Sequence, residues 1–291
     1  CLGLLRRRRR ILMKKRIKRT VWAYVILTVF GLVMIYPLIW MFFATFKDNK
    51  ELFGTTALLP SSFNPEAYIK GWKGSGQYTF TTFFTNSFKM VIPTVFFTIA
   101  SCSIVAYGFA RFRFVGKKIL FGLMISTLML PNAAIIIPRY LLFRNLGWLN
   151  TFKPFWMPAL LAAYPFFIFM LIQFLRGIPK DLDESAKIDG ADSFVIFRCI
   201  LLPLMKPALF SVGLMQFMWV WNDFYNPLIY INSVKNYPLA LGVRMVLDTS
   251  GTVYWNQVLA MALVSILPLI ILFFFAQRYF IEGIATTGMK G

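Results

Sequence analysis

Five of the eleven carboxylates in this chain of 291 residues lie in one stretch, residues 179–207. They are Asp181, Asp183, Glu184, Asp189 and Asp192. Pro179 suits the first turn of a helix, and the acids that follow lie where the positive end of the helix dipole stabilises anions. Gly190 can adopt the left-handed conformation that ends a helix, and Ser193 can cap the next one. The stretch therefore predicts a short acidic helix, a glycine turn and a second helix, in which Glu184 docks a partner and is not a catalytic acid.

A second group of polar residues lies within an apolar run at residues 207–231, where Asp223 stands among Asn222 and Asn226. An ion in the hydrocarbon core of a membrane costs about 2.5–3.5 kcal/mol on insertion scales, so Asp223 should face a polar cavity or a partner. Two interpretations fit equally well. These side chains line a translocation path, or they form hydrogen bonds to a neighbouring helix.

The apolar run at residues 119–143 poses the same choice at Asn132, which follows Pro131. Here a proline kink is the favoured interpretation, and a place for Asn132 in the translocation path is the alternative. Arg139 in the same run is expected to extend its guanidinium group to the outer interface.

Several kinds of chemistry are excluded by residue types that the sequence lacks. The chain contains no histidine, and its three cysteines, Cys1, Cys102 and Cys199, are far apart. The usual zinc sites and every histidine-based catalytic arrangement therefore have no residues to form them. The glycine-rich Walker A motif that binds ATP phosphates is absent as well. We predict no catalytic residue, no metal site and no cofactor on this chain.

The composition is that of a membrane protein. It is 58% apolar and only 14% charged, whereas ordinary globular chains are about half apolar and about a quarter charged. The net charge of +20 would suit nucleic acid, but ten of the 31 basic residues lie within residues 1–19, directly before the first apolar run. A basic leader in that place favours contact with anionic membrane lipid and a cytoplasmic N-terminus, and argues against nucleic acid.

We predict an all-α membrane protein with six transmembrane helices in residues 20–291, after a basic cytoplasmic leader at residues 1–19. The predicted spans are about residues 20–46, 86–110, 119–143, 155–175, 207–231 and 258–280, each long enough to cross a bilayer. Basic residues follow the second and fourth spans, which places those connections in the cytoplasm with both termini. The stretch at residues 179–207, which we call the acidic loop, then joins spans 4 and 5 on the cytoplasmic side.

The acidic loop resembles the EAA loop of ABC importer permeases, whose pattern is Glu-Ala-Ala, three residues, Gly, nine residues and Ile-x-Leu-Pro. The residues at the pattern's positions are Glu184, Ser185, Ala186, Gly190, Ile200, Leu202 and Pro203. Only Ser185 departs from the pattern, and it is small enough for a tight helix contact. The resemblance implies that this loop forms the coupling helix that docks on a cytoplasmic ATPase. The residues implied in that coupling are Glu184, Ser185, Ala186, Asp189, Gly190, Ile200 and Pro203.

Shorter segments extend the resemblance over nearly all of the chain after residue 20, to carbohydrate-uptake permeases such as the smaller permease of maltose-type transporters. They include residues 106–111, 221–224 and 277–280, in the family's order. The resemblance implies a second homologous permease, two copies of an ATPase that holds ATP and Mg²⁺, and an extracytoplasmic sugar-binding protein. It also implies that residues 232–254 reach toward the binding protein and that the C-terminal tail contacts the ATPases. The tail residues are Gly288, Met289, Lys290 and Gly291.

We therefore predict a multi-pass permease subunit of the bacterial inner membrane. It belongs to an ATP-driven, binding-protein-dependent importer of carbohydrate, in particular of an oligosaccharide, and it forms half of the translocation path. The alternatives are an ABC permease for a non-sugar solute, or an ion-coupled secondary transporter that uses Asp223.

Overall fold

A computed structural model describes the backbone of residues 2–74, 77–248 and 253–288, and side chains from residue 20 to residue 276 within those ranges except at 246 and 248. Every regular element in these ranges is helical. The helices are α1 (Leu2–Ala44), α2 (Asn49–Gly54), α3 (Glu66–Lys73), α4 (Phe80–Arg111), α5 (Lys117–Thr127), α6 (Asn132–Asn145), α7 (Lys153–Leu160), α8 (Pro165–Arg176), α9 (Asp181–Ile188), α10 (Ser193–Leu204), α11 (Lys206–Trp221), α12 (Tyr225–Tyr230), α13 (Leu239–Asp248) and α14 (Trp255–Gly288). Within α10, residues Ile196–Leu201 form a π-helical turn.

Four stretches of the described chain are helical, long and apolar enough to cross a membrane: Thr20–Ala44, Phe80–Arg111, Lys153–Arg176 and Trp255–Ala276. Two bent pairs raise the number to six if each pair counts as one span. They are α5 with α6, bent by 103°, and α10 with α11, bent by 74°. The prediction of an all-helical protein with several apolar helices therefore agrees with the structure.

Two of the predicted spans are broken in the structure. The predicted span at 119–143 is interrupted between α5 and α6, where Pro131 has extended backbone angles (φ −65°, ψ 136°). The ring of Pro131 disfavours helical geometry at Leu130, and Pro131 has no amide hydrogen to donate, so α5 does not continue through it. The predicted span at 207–231 ends as a helix at Trp221 and resumes as the short helix α12. Asn222 ends the first part, since its side-chain amide donates to the carbonyl oxygen of Met218 at 2.9 Å.

The chain divides into two compact units, of which one comprises Cys1–Gly71 and Thr252–Leu263. In this unit the polar segment after α1 is folded. Asp48 caps α2 by accepting from the amide of Glu51 at 2.7 Å, and the carboxylate of Glu51 binds the amide and hydroxyl of Ser61. Asn49 bonds the carbonyl of Val253 and the amide of Trp255. The apolar side chains of α1 between residues 21 and 40 are exposed, as they are on a helix that faces lipid or other helices.

The second unit comprises Trp72–Gly251 and Val264–Gly291. Its centre is α4, against which α7, α8 and α11 pack. One buried apolar cluster joins α4, α8, α9, α10 and α11, with members that include Ala106, Leu171, Ala186, Leu201 and Val212. The core of this unit therefore extends directly beneath the acidic loop.

Candidate functional sites

The acidic loop folds as two helices joined by a glycine turn. Gly190 has φ +83°, its amide bonds the carbonyl of Lys187, and the amide of Ala191 bonds the carbonyl of Ala186. These two hydrogen bonds form the Schellman motif, which ends a helix on a left-handed residue. Asp192 then caps α10 by accepting from the amide of Val195 at 2.7 Å. The sequence pattern predicts this cap one residue later, at Ser193, which is instead the first residue of the helix.

The side chains of the predicted coupling residues divide into two groups. Glu184, Ser185, Asp189, Gly190 and Pro203 are exposed, whereas Ala186 is buried in the core and Ile200 packs beside it. The loop therefore presents one face outward and fixes the other to the transmembrane core.

Two apolar residues on the exposed face of the acidic loop were not predicted from the sequence. Ile188 is 87% exposed and Leu182 is 43% exposed, although both belong to the short helix α9. The sequence carried a signal for them, because each is an apolar residue within an otherwise polar helix. Exposed apolar residues on such a helix are typical of a surface that a partner covers.

Two side chains of α4 contact the acidic loop and the residue before it. Nε of Arg111 lies 2.7 Å from Oδ2 of Asp183, and the two side chains are only 6% and 11% exposed. A second nitrogen of Arg111 donates to the carbonyl of Ile178 at 3.1 Å. One turn earlier, the hydroxyl of Tyr107 donates to the carbonyl of Ser193, and the Tyr107 ring stacks on Phe197. Displacement of either loop helix is therefore opposed by side chains of α4.

The second site is a cavity of about 360 Å³ in the second unit. It is lined by Arg139, Pro154, Phe155, Pro158, Ala163, Tyr164, Gln216, Trp219, Val220, Asp223, Asn226 and Tyr230. Asp223 accepts hydrogen bonds from the amide and the side chain of Asn226, at 3.1 and 2.7 Å. Of the predicted path residues, the structure brings Asp223 and Asn226 together here. Asn132 and Asn222 do not line this cavity, and their place in a path stays a prediction.

Several polar side chains of the cavity come from positions that the sequence analysis did not select. Arg139 lines the cavity, and the extension of its guanidinium group to the outer interface stays a prediction. Gln216 is fully buried and Tyr230 is 2% exposed. A glutamine within the apolar helix α11 was a signal, because an amide in such a helix needs a partner or a polar lumen.

The remaining predicted residues are placed only in part. Gly288 ends α14, while Met289, Lys290 and Gly291 lie outside the described residues. Within those residues no group of three or more aspartate, glutamate or cysteine side chains is arranged to hold a metal ion.

Comparison with known proteins identifies the family. The family described as "Binding-protein-dependent transport system inner membrane component" matches residues 101–286. The probable ABC transporter permease protein YurM of Bacillus subtilis is 32% identical over 94% of this chain and 88% of its own. The arabinooligosaccharides transport system permease protein AraQ of Halalkalibacterium halodurans is 33% identical over 89% and 92%.

A crystal structure of a bacterial ABC transporter involved in the import of the acidic polysaccharide alginate contains a chain of the same fold. Its TM-score is 0.79 with 23% identity, over 89% of this chain and 95% of that one. The matched relatives are permease proteins, which confirms the prediction of a non-catalytic transport subunit. The chain is a multi-pass membrane protein and belongs to the family of inner membrane components of binding-protein-dependent transport systems, the permeases of ABC importers.

Proposed function

We propose that this chain is a permease subunit of an ATP-driven importer of carbohydrate, in particular of an oligosaccharide. One observation carries the mechanical part of the proposal. Helix α9 is fixed from behind by the buried pair Arg111–Asp183, while its outer face exposes Glu184, Ser185 and Ile188. A helix that is exposed on one face and rigidly connected to a transmembrane core on the other can transmit the movement of a docked partner.

The substrate class comes from the relatives. Their names specify arabinooligosaccharides for the protein of Halalkalibacterium halodurans, and trehalose and maltose for the permease MalG of Thermococcus litoralis, which is 26% identical over 90% of this chain and 93% of its own. The cavity around Asp223 supports the same class, because it combines aromatic rings with hydrogen-bonding groups.

The topology that we propose has six spans with both termini in the cytoplasm, after a basic leader at residues 1–19. The bent pair α5–α6 supplies the third span, and α11 with α12 supplies the fifth, while α10 belongs to the cytoplasmic loop before it. In this arrangement α9 lies between spans 4 and 5 on the cytoplasmic side, where basic residues also gather.

The partners are a second homologous permease, two copies of a cytoplasmic ATPase that holds ATP and Mg²⁺, and an extracytoplasmic sugar-binding protein. The coupling residues and the tail from Gly288 to Gly291 face the ATPases, and membrane lipid surrounds the spans. The segment from residue 232 to α13 faces the binding protein. This segment has a fixed shape, because Asn86 donates to the carbonyls of Lys235 and Tyr237 and Ser87 accepts from the amide of Leu239.

Reconstituted transport tests the proposal. The complete transporter in proteoliposomes, with loaded binding protein, should accumulate a labelled oligosaccharide with ATP and not with a non-hydrolysable analogue. Uptake that persists without ATP would favour the ion-coupled transporter instead. ATP-dependent uptake of a non-sugar solute, with none of any sugar, would refute the carbohydrate assignment alone.

A further inference from the structure

The cavity between α6, α7, α11 and α12 contains hydrogen-bonding atoms that the protein does not satisfy. Both side-chain atoms of Gln216, Oδ1 of Asn226 and the hydroxyl of Tyr230 are buried and have no hydrogen-bond partner among the described residues. Tyr164 lies near the Gln216 amide and Arg139 near the Tyr230 hydroxyl, but neither pair reaches hydrogen-bonding geometry. Leaving one such group unpaired costs about 1–3 kcal/mol, so four unpaired atoms at one cavity indicate that something else binds them.

From this we infer that the cavity is a binding subsite on this chain for one neutral sugar unit of the transported carbohydrate. The inference rests on the proposed function and adds to it the place, the size and the charge of the bound unit. A volume of about 360 Å³ lies near the lower end of the range for small-molecule sites, about 300–1,000 Å³. It suits a single monosaccharide unit, and the other units of an oligosaccharide lie beyond it.

The unpaired atoms include both hydrogen-bond donors and acceptors, and this combination favours a ligand that carries hydroxyl groups. The Gln216 amide nitrogen and the Tyr230 hydroxyl donate, whereas the Gln216 and Asn226 oxygens accept. A hydroxyl group can donate and accept at the same time, so a polyol satisfies this mixed set with one kind of group.

The charges around the cavity favour a neutral unit. Arg139 and Asp223 both line it, and the ion pairs found among the described side chains do not include either of them. A charged ligand would be attracted by one of these side chains and repelled by the other, so neither sign of charge gains a net attraction, whereas hydroxyl groups can bond to both.

An aromatic side chain supplies the apolar surface that a sugar ring needs. Trp219 lines the cavity and is 48% exposed. Its indole packs on Phe166 and Phe167, with ring centroids at 5.4 and 4.9 Å. An indole held in one orientation presents a flat apolar surface to the C–H face of a pyranose at low entropic cost.

The test uses variants that remove only the unpaired atoms. Tyr230→Phe keeps the shape of the ring, and Gln216→Leu replaces the amide by a branched apolar side chain that is one heavy atom shorter. Because the removed atoms have no partner in the protein, the thermal unfolding midpoint of Tyr230→Phe should be unchanged or higher. Tyr225→Phe is the matched control, since Tyr225 is on the same helix as Tyr230, is 71% exposed and does not line the cavity.

Each variant is assembled into the complete transporter and tested with labelled maltose, arabinobiose and galactobiose as neutral probes and digalacturonate as an acidic probe. The readouts are ATP-dependent uptake at saturating loaded binding protein, and equilibrium binding of the same sugars to the transporter without binding protein. We expect Gln216→Leu and Tyr230→Phe to lower both by about fivefold, the effect of one neutral hydrogen bond. Tyr225→Phe should match the wild type.

The outcomes separate this inference from the proposed function. If the wild type transports a neutral probe and both variants transport and bind it normally, the subsite is refuted while the proposed function stands. If the wild type transports digalacturonate and no neutral probe, the neutral sugar unit is refuted and the carbohydrate importer is kept. If the wild type transports no sugar with ATP, the proposed function fails and the subsite fails with it.

Discussion

The carboxylate of Asp183 in α9 lies 2.7 Å from the guanidinium Nε of Arg111, the last residue of α4. Both side chains are almost fully buried, so two charges have been removed from water at the boundary between a membrane-spanning helix and the acidic loop. Such a pair adds little net stability compared with apolar residues of the same volume, but loss of one partner leaves a buried charge unpaired. The pair therefore fixes the position of α9 relative to α4.

We predict that Arg111→Met destabilises the subunit by about 3–5 kcal/mol, because it leaves the Asp183 charge buried without a counterion. The measurement is the thermal unfolding of the purified transporter, together with ATP hydrolysis per sugar transported. Arg113→Met is the matched control, since Arg113 is exposed. The double variant Arg111→Met/Asp183→Leu should regain most of the stability. An Arg111→Met variant as stable as Arg113→Met would show that the pair is not structural.

At Gly190 we predict that the backbone conformation is what matters. A Cβ built there meets no atom within 4 Å, so substitution costs only the positive φ, about 1–2 kcal/mol for most side chains and less for asparagine. Gly190→Val should insert normally yet lower ATPase co-purification and sugar uptake by about tenfold, whereas Gly190→Asn should stay close to the wild type. Equal loss in both variants would mean that the surface at Gly190, not the turn, is required. Normal coupling in both would reduce the loop to a connector.

The proposed topology predicts which side of the membrane reaches each loop. Ser62 and Asp189 are both exposed, and in a Cys1→Ser/Cys199→Ser background the remaining Cys102 is buried. A membrane-impermeant thiol reagent should label Ser62→Cys in intact spheroplasts, and Asp189→Cys only after permeabilisation. Labelling of Asp189→Cys in intact spheroplasts would reverse the orientation.

The acidic loop could be read from the sequence because its determinants are local. A proline, three acids, a glycine and a capping residue within fifteen positions specify two helices and a turn without help from the rest of the chain. The error of one residue at the cap arose because Asp192 and Ser193 are adjacent residues of equal capping ability.

The cavity could not be predicted in the same way. Its polar atoms come from Arg139, Tyr164, Gln216, Asp223 and Tyr230, which are brought together by the packing of separate helices and by two chain breaks. Asp223 was recognised because a carboxylate in an apolar run is costly. Arg139 was not placed in the cavity because a long basic side chain can extend either to a membrane interface or into a cavity, and the sequence alone does not decide which.

A substitution at Asp223 distinguishes a structural role in helix capping from a role in the translocation path. Its hydrogen bonds to the amide and side chain of Asn226 would hold α12 locally, and Asp223→Asn keeps the bond to the amide while it removes the charge. We expect a large loss of uptake with normal assembly. Asp48→Asn is the control, because Asp48 caps α2 through the same kind of contact outside the cavity. Normal uptake by Asp223→Asn would assign Asp223 to helix capping alone.

Gly242 in α13 tests whether the outer segment must keep its contact with α4. A Cβ at Gly242 would lie 2.4 Å from Cδ2 and 2.9 Å from Cβ of Phe83, and Phe83 is 4% exposed, so its ring has little room to move. Overpacking of this kind costs about 1–3 kcal/mol, and we predict that Gly242→Ala lowers the thermal unfolding midpoint. It should also slow uptake, since Leu239 and Leu241 beside it are buried and a displaced α13 would move the surface that we propose faces the binding protein. Gly108→Ala is the control, because a Cβ there meets nothing within 4 Å and alanine is the better helix former. Phe83→Leu combined with Gly242→Ala should restore part of the lost stability and uptake. A Gly242→Ala variant with wild-type stability and uptake would show that α13 moves freely against α4.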